Sequence, residues 1–374
     1  MTSSATFRYK LAPYGEAMIG QGAFSVVYKA TEQESGRQVA IKKSRVSKPV
    51  KRPTLQHEIR VLQFLRGHAA IPAVYGYGRL EHFECMSMEL LGRNLEEQQE
   101  NGAGLLLKTV IRVVDQALAA LQHIHSFGIV HRDIKRENFL CVLDDPSTIK
   151  IVDFGISKPF AHGQPSKYNP LKDRRHIVGS LAWASLNSHN GVDLGPRDDL
   201  ESLAYTALFL LRGNLPWRPR PRTEPPVRSQ EIVRLMKSGC SGSALSTGFP
   251  DEFGELLTYS RSLKFDQLPD YGAIGRSFTS MADRMGCFDS GPLDWTPCYP
   301  KTTGTLADEP EVSIPNEGED NGSGGNKLGE DSYYGWDIDI WERQGERDMD
   351  VTLPAKQEFE LDGLIPLILD VQEN

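Results

Sequence analysis

The sequence predicts an α+β chain of two unequal lobes. A small β-rich lobe spans about residues 9–88, a large, mainly helical lobe spans about 92–295, and an acidic stretch follows from 296 to 374. Three observations predict this. The first forty residues carry short runs of β-formers separated by glycine turns. From residue 105 onward, apolar residues recur at the three-and-four spacing of helices. Charge also changes sign along the chain: residues 301–374 hold five Lys/Arg against 19 Asp/Glu, so the net charge of −8 hides a basic body of 37 against 31.

The elements follow in order. Val26-Val27-Tyr28 and Val39-Ala40-Ile41-Lys42 read as strands, with Glu34-Ser35-Gly36-Arg37 turning between them. Residues 54–66 read as a helix, because Leu55, Ile59, Leu62 and Leu65 share one face. Another apolar stretch runs from Cys85 to Leu91. Residues 105–127 give the clearest helix, closed by Gly128. Phe139–Leu143 and Ile149–Val152 are short apolar runs after the polar loop 131–138. Asp199–Leu211 is apolar on every side and so expected to be buried all round. Residues 213–230, rich in Pro and Arg, read as a surface loop. Periodicity fades after about Trp295, and 302–330 has the composition of disorder. The rest of the tail reads as a solvated acidic segment, although Trp336, Trp341 and Leu364–Leu369 give it means to dock. Ser313, Ser332 and Thr352 lie in or near its acidic surroundings.

Several function classes fall away. Five cysteines, an odd number without CxxC spacing, argue against a disulfide framework or zinc site and for reduced thiols, hence a cytoplasmic and/or nuclear protein. Met1–Lys10 lacks the apolar core of a signal peptide, and the longest apolar runs fall far short of the ~20 residues that span a bilayer. The basic stretch from Lys42 to Arg52 reads as a solvated loop, so no nucleic acid is expected. His123, His125 and His131 read as structural, and His57-Glu58 lacks the second histidine of a HExxH zinc site.

The strings that carry chemistry are those phosphoryl transfer needs: a phosphate cradle, cations against the developing charge, and a carboxylate for the attacking hydroxyl. Gly20-Gln21-Gly22 lets a backbone approach phosphates, because no Cβ stands in the way. Lys42 ends Val-Ala-Ile-Lys and is suited to α/β-phosphates, with Glu58 sixteen residues on to hold it. His131-Arg132-Asp133-Ile134-Lys135-Arg136-Glu137-Asn138 supplies a carboxylate for the substrate hydroxyl in Asp133, a cation in Lys135 and a metal-binding amide oxygen in Asn138. Asp153-Phe154-Gly155 follows twenty residues after Asp133, and Asp153 is suited to the Mg²⁺ that bridges the phosphates.

In these strings the chain resembles the protein kinases, and more narrowly the casein kinase 1 family. The narrower likeness rests on Met88-Glu89-Leu90-Leu91-Gly92, Ala184-Ser185-Leu186-Asn187, Arg197–Leu203, Leu210–Trp217, Gly248-Phe249-Pro250 and Tyr259–Leu263, within about Tyr9 to Trp295. The resemblance implies the bilobal protein kinase fold and a serine/threonine kinase using ATP and Mg²⁺ on protein substrates, expected to be monomeric. The alternative is a pseudokinase scaffold that binds nucleotide without chemistry. By position, Ile19, Gly20, Gly22, Val27 and Ala40 would line the nucleotide site. Met88 would stand at the back of the adenine pocket, with the backbone of Glu89 and Leu91 on the adenine edge, and Asp199 would brace the catalytic loop. Three positions depart from the family. Ser25 replaces a third glycine and should stiffen the hairpin tip. Arg136 replaces a proline, with no chemistry resting on it. Ala182 replaces an arginine of the pocket that reads a pre-phosphorylated or acidic substrate residue, whereas Arg175 matches another basic position of that pocket.

Overall fold

The computed structural model describes residues 6–13, 17–22, 25–45, 54–79, 83–99, 103–160, 177–218, 226–287, 293–295 and 350–354. The N-terminal lobe is an antiparallel sheet of β1 (Thr6–Leu11), β2 (Met18–Gln21), β3 (Ser25–Glu32), β4 (Gln38–Arg45), β5 (Val74–Arg79) and β6 (Phe83–Glu89), with β4 flanked by β3 and β6. One helix, α1 (Thr54–Phe64), lies against it. The apolar face predicted for that helix is the one it buries: Leu55, Ile59, Leu62 and Leu65 are all buried in the main core.

The chain enters the C-terminal lobe through β7 (Leu91–Asn94) and the single turn α2 (Leu95–Gln98), which Asn94 and Glu97 close as a capping box. The long helix α3 (Leu107–Ser126) follows, within a residue or two of its predicted bounds. Its first turn has no cap from its own flank. Asp294, near the far end of the lobe, accepts from the amide of Leu106 at 2.7 Å and the hydroxyl of Thr109 at 2.9 Å. Short strands β8 (Ile129–Val130), β9 (Phe139–Val142), β10 (Ile149–Ile151) and β11 (Lys158–Pro159) carry the polar loops between them.

The one-turn helix α4 (Leu186–His189) precedes α5 (Pro196–Arg212). Every residue of α5 from Asp198 to Leu211 is buried, as its all-round apolar pattern predicts, with Pro196 opening the helix and Gly213 closing it at φ 75°. Then come α6 (Pro226–Gly239), α7 (Gly242–Ser246), α8 (Asp251–Ser262) and α9 (Tyr271–Arg284). The surface loop read over 213–230 is therefore too long by five residues: apolar positions Val233 and Met236 pack against the core and draw the helix back to Pro226. From the acidic stretch, β12 (Asp350–Pro354) pairs antiparallel with β1 at the sheet edge. The tail positions Ser313, Ser332, Trp336, Trp341 and Leu364–Leu369 lie outside the described residues. Among the described residues, no helix is long and apolar enough to cross a membrane.

Burial, with the charges of Lys237 and Arg234 adding to it, pushes His189 down to about 3. An unfolded histidine takes its proton near 6.5. Between these values the unfolded chain binds the extra proton, so this residue's contribution to stability falls as pH drops through the window. Urea unfolding at pH 7 and pH 5 is expected to show His189→Gln losing about 2 kcal/mol less on acidification than the unsubstituted chain. Equal losses would contradict the buried, neutral histidine.

Candidate active site

Strand β4 carries Lys42 opposite Val27 on β3 and Met86 on β6. Its ammonium reaches both oxygens of Glu58 on α1, at 2.9 and 2.8 Å, and Oδ1 of Asp153 at 2.9 Å. The predicted lysine–glutamate pair is thus formed, and it ties the small lobe to the start of Asp153-Phe154-Gly155. Burial alone would lower the Lys42 pKa, but the charges of Asp153 and Glu58 outweigh it and hold the ammonium protonated. Lys42 in turn pulls Asp153 down to about 2, against burial.

The loop after β8 is built around Asp199 of α5. That carboxylate is 1% exposed and accepts from the backbone amides of His131 at 2.7 Å and Arg132 at 2.8 Å. His125 completes the set, with Nε2 at 2.9 Å from it. Arg132 is held at φ 71° and Asp153 at φ 68°, a left-handed region that side chains disfavour. His131 reads as one neutral tautomer: Nε2 donates to the carbonyl of Val152 at 3.1 Å, and Nδ1 accepts from the amide of Asp133 at 3.3 Å. Burial keeps it neutral by lowering its pKa. Its ring also meets Phe154 edge-on at 4.7 Å, which links this loop to the one carrying Asp153.

Four groups fix the carboxylate of Asp133. Its Oδ1 accepts from the amide of Ser180 at 3.0 Å and from the hydroxyl of Ser180 at 2.9 Å. Its Oδ2 faces the ammonium of Lys135 at 2.8 Å and Nδ2 of Asn138 at 3.3 Å. Lys135 also donates to the hydroxyl of Ser180 at 2.9 Å. Asn138 spends its NH₂ on the carbonyl of Asp133 at 2.8 Å, which turns its amide oxygen away from that bond. The sequence reading missed Ser180. Its signal is a hydroxyl directly after Gly179, two residues before Ala182.

Gly179 sits at φ 87°, and a Cβ there would stand 2.6 Å from the carbonyl oxygen of Arg132 and 3.5 Å from Oδ1 of Asp133. Gly179→Ala is therefore expected to cost about 1–3 kcal/mol from strain alone. It should also displace Ser180 from Asp133 and lower activity more than tenfold. Chemical denaturation and steady-state kinetics check the two effects separately.

Around the nucleotide side, Ala40 and Met88 are buried partners in register across β4 and β6, with Val27 packed against the same core. Ile19 is 44% exposed on β2 beside Gly20 and Gly22. Neither glycine has a positive φ, and a Cβ at either would touch nothing closer than 3.7 Å. The fold itself does not require glycine there, which leaves their smoothness to serve an incoming ligand. At the hinge, the amide of Glu89 is taken by the carbonyl of Ala73 at 2.8 Å, and its side chain by Lys150 at 2.9 Å. The Glu89 amide is therefore already occupied within the protein, one residue before Leu90 and two before the buried Leu91.

The three departures have different outcomes. Ser25 is the first residue of β3, paired with Ser44. Ala182 is buried, and its carbonyl accepts from Nε1 of Trp217 at 2.9 Å; Arg175 lies outside the described residues. Arg136, expected to carry no chemistry, has a structural place. It is buried, its guanidinium lies 4.5 Å from the ring centre of Phe209, and it bonds Glu96 at 2.5 Å and Gln99 at 3.1 Å, so α2 is fastened to the catalytic turn. Ser185 and Asn187 both donate to Oδ1 of Asp198, at 2.7 and 2.9 Å, and anchor the segment after Ala184 onto α5.

Among the described residues, no three His, Cys, Asp or Glu side chains gather as a metal cage. What the site offers is hard oxygen from Asp153 and Asn138, a donor set suited to a hard divalent cation shared with phosphates. A family model described as protein kinase domain matches residues 15–258.

Proposed function

This chain belongs to the protein kinase family, and from that premise we propose that it is a serine/threonine protein kinase of casein kinase 1 type, acting with Mg²⁺-ATP on protein substrates. The observation that carries the reading is the Asp133 carboxylate, oriented by Ser180 on one oxygen and by Lys135 on the other. In this reading Asp133 receives the hydroxyl of the acceptor residue and takes its proton. Lys135, kept cationic by Asp133 against the effect of burial, faces the transferring phosphoryl. Lys42, held by Glu58, positions the α/β-phosphates, while Gly20 and Gly22 let the hairpin close over them. Asn138 and Asp153 hold the metal, which neutralises phosphate charge when bound. Ile19, Val27, Ala40, Met88, Glu89 and Leu91 take the adenine.

The narrower assignment draws support from Ser185 and Asn187, which anchor to α5 through Asp198 in the stretch that resembles casein kinase 1. The scaffold alternative is not favoured, since the groups the transfer needs are present, Lys42 bonded to Glu58 and Asp153, and Asp133 to Lys135 and Asn138. The test is transfer of labelled phosphate from ATP and Mg²⁺ to casein and, in parallel, to a Glu/Tyr copolymer, followed by phosphoamino-acid analysis. Label on serine and threonine alone is expected. Label on tyrosine would sink the serine/threonine reading, and no transfer to either substrate would sink the kinase reading.

A further inference from the structure

Lys237 on α6 has 0% of its surface exposed, an unusual place for an ammonium. It donates to the carbonyl of Leu181 at 3.0 Å and that of Ala184 at 2.6 Å, and it meets Nε2 of His189 at 3.2 Å. The rings of Tyr205 and Trp217 flank it, with centres 4.9 and 5.4 Å away. Trp217 itself donates to the carbonyl between, that of Ala182, at 2.9 Å. Three carbonyls of one short segment are thus taken by two side chains from beneath. The amides of Trp183 and Ala184 fold back onto the carbonyl of Ser180, at 3.0 and 2.8 Å. Ser180, at the head of the segment, is the residue whose amide and hydroxyl hold Asp133 and whose hydroxyl accepts from Lys135.

Burying a lysine carries a desolvation cost that a methionine of similar length would avoid. The geometry places that cost directly under the segment that sets the Asp133–Lys135 pair. We propose that Lys237, with Trp217 beside it, is a positioning residue for phosphotransfer: by holding the carbonyls of Leu181, Ala182 and Ala184 it fixes Ser180 against Asp133 and Lys135. This rests on the phosphotransfer reading above and adds a residue that no catalytic motif contains.

The test is a double-mutant cycle between Lys237→Met and Ser180→Ala in the full chain, read as kcat for casein and KM for ATP. Lys237→Met is expected to lower kcat at least tenfold, with KM for ATP within twofold, because the Lys42 side of the site is not touched. In the Ser180→Ala background the same change is expected to lower kcat less than threefold. A loss of full size in both backgrounds overturns the proposal, since a merely structural residue would act independently of Ser180. Should Lys237→Met not fold, Trp217→Phe keeps the ring, removes the bond to Ala182 and enters the same cycle. There, a kcat loss that persists undiminished in the Ser180→Ala background overturns the clamp. Hydrogen exchange at Ser180–Ala184 reads the clamp without activity: faster exchange in Lys237→Met or Trp217→Phe is expected, and unchanged exchange overturns it even if the chain transfers no phosphate.

Discussion

Asp133→Asn is expected to lower kcat for protein phosphorylation by about 10²–10⁴, the range a positioned general base supplies, while KM for ATP stays within about threefold. The substitution is close to isosteric. An amide oxygen can keep the two bonds from Ser180, at 3.0 and 2.9 Å. The other oxygen, 2.8 Å from Lys135, becomes an NH₂ group that cannot take a proton and faces a cation with the wrong dipole. Nucleotide binding is expected to be left alone, because the proposed phosphate-side lysine, Lys42, forms a separate bonded set with Glu58 and Asp153. A loss in kcat without a matching loss in KM would place Asp133 in the transition state rather than in nucleotide binding. If kcat stays within threefold of the parent, Asp133 is not the residue that handles the acceptor hydroxyl.

What the sequence disclosed and what it hid divide along one physical line. Phosphate chemistry demands particular side chains on short, rigid turns, so Lys42, Asp133, Lys135, Asn138 and Asp153 stand in contiguous strings that can be read without a fold. The pairing of Lys42 with Glu58 was legible too, because a strand and the next helix fix the distance between them. Periodicity located α3 and α5, where burial selects residue types turn by turn. Hidden were groups whose meaning arises only when distant segments meet. Lys237 acts on carbonyls 53 and 56 residues away, and a lysine in a helix carries no mark of burial. The structural place of Arg136 was hidden because its partners, Glu96 on α2 and Gln99 just after it, lie about forty residues back. The start of α6 was obscured by the proline- and arginine-rich run ahead of it, whose composition signals a loop more strongly than Val233 and Met236 signal a helix.

Asp199→Ala is expected to remove about 3–5 kcal/mol of stability, the usual consequence of breaking a buried, bonded charge, and to reduce kcat at least a hundredfold in whatever fraction folds. Asp199 contributes no chemistry of its own. Its carboxylate accepts from the amides of His131 and Arg132, and alanine leaves both amides and His125 without that partner. The amide of Arg132 belongs to a residue held at φ 71°, so the bond that is lost is the one opposing the strain. Once Arg132 relaxes, its carbonyl no longer meets Gly179 as it does now, and Asp133 turns away from Ser180. Burial raises the Asp199 pKa, but the hydrogen bond from His125, joined by that from the Arg132 amide, counters it, and the net shift is downward. A depressed carboxylate contributes stability that is present above its unfolded value near 3.8 and is lost as pH falls through its lower folded value. The parent should therefore lose more stability than Asp199→Ala on going from pH 5 to pH 3. Urea unfolding at both pH values, with kcat measured on the folded fraction at low temperature, separates the two effects. Normal kcat in a destabilised but folded variant would mean that the loop keeps its shape without Asp199, and that the strain at Arg132 is held by its neighbours instead.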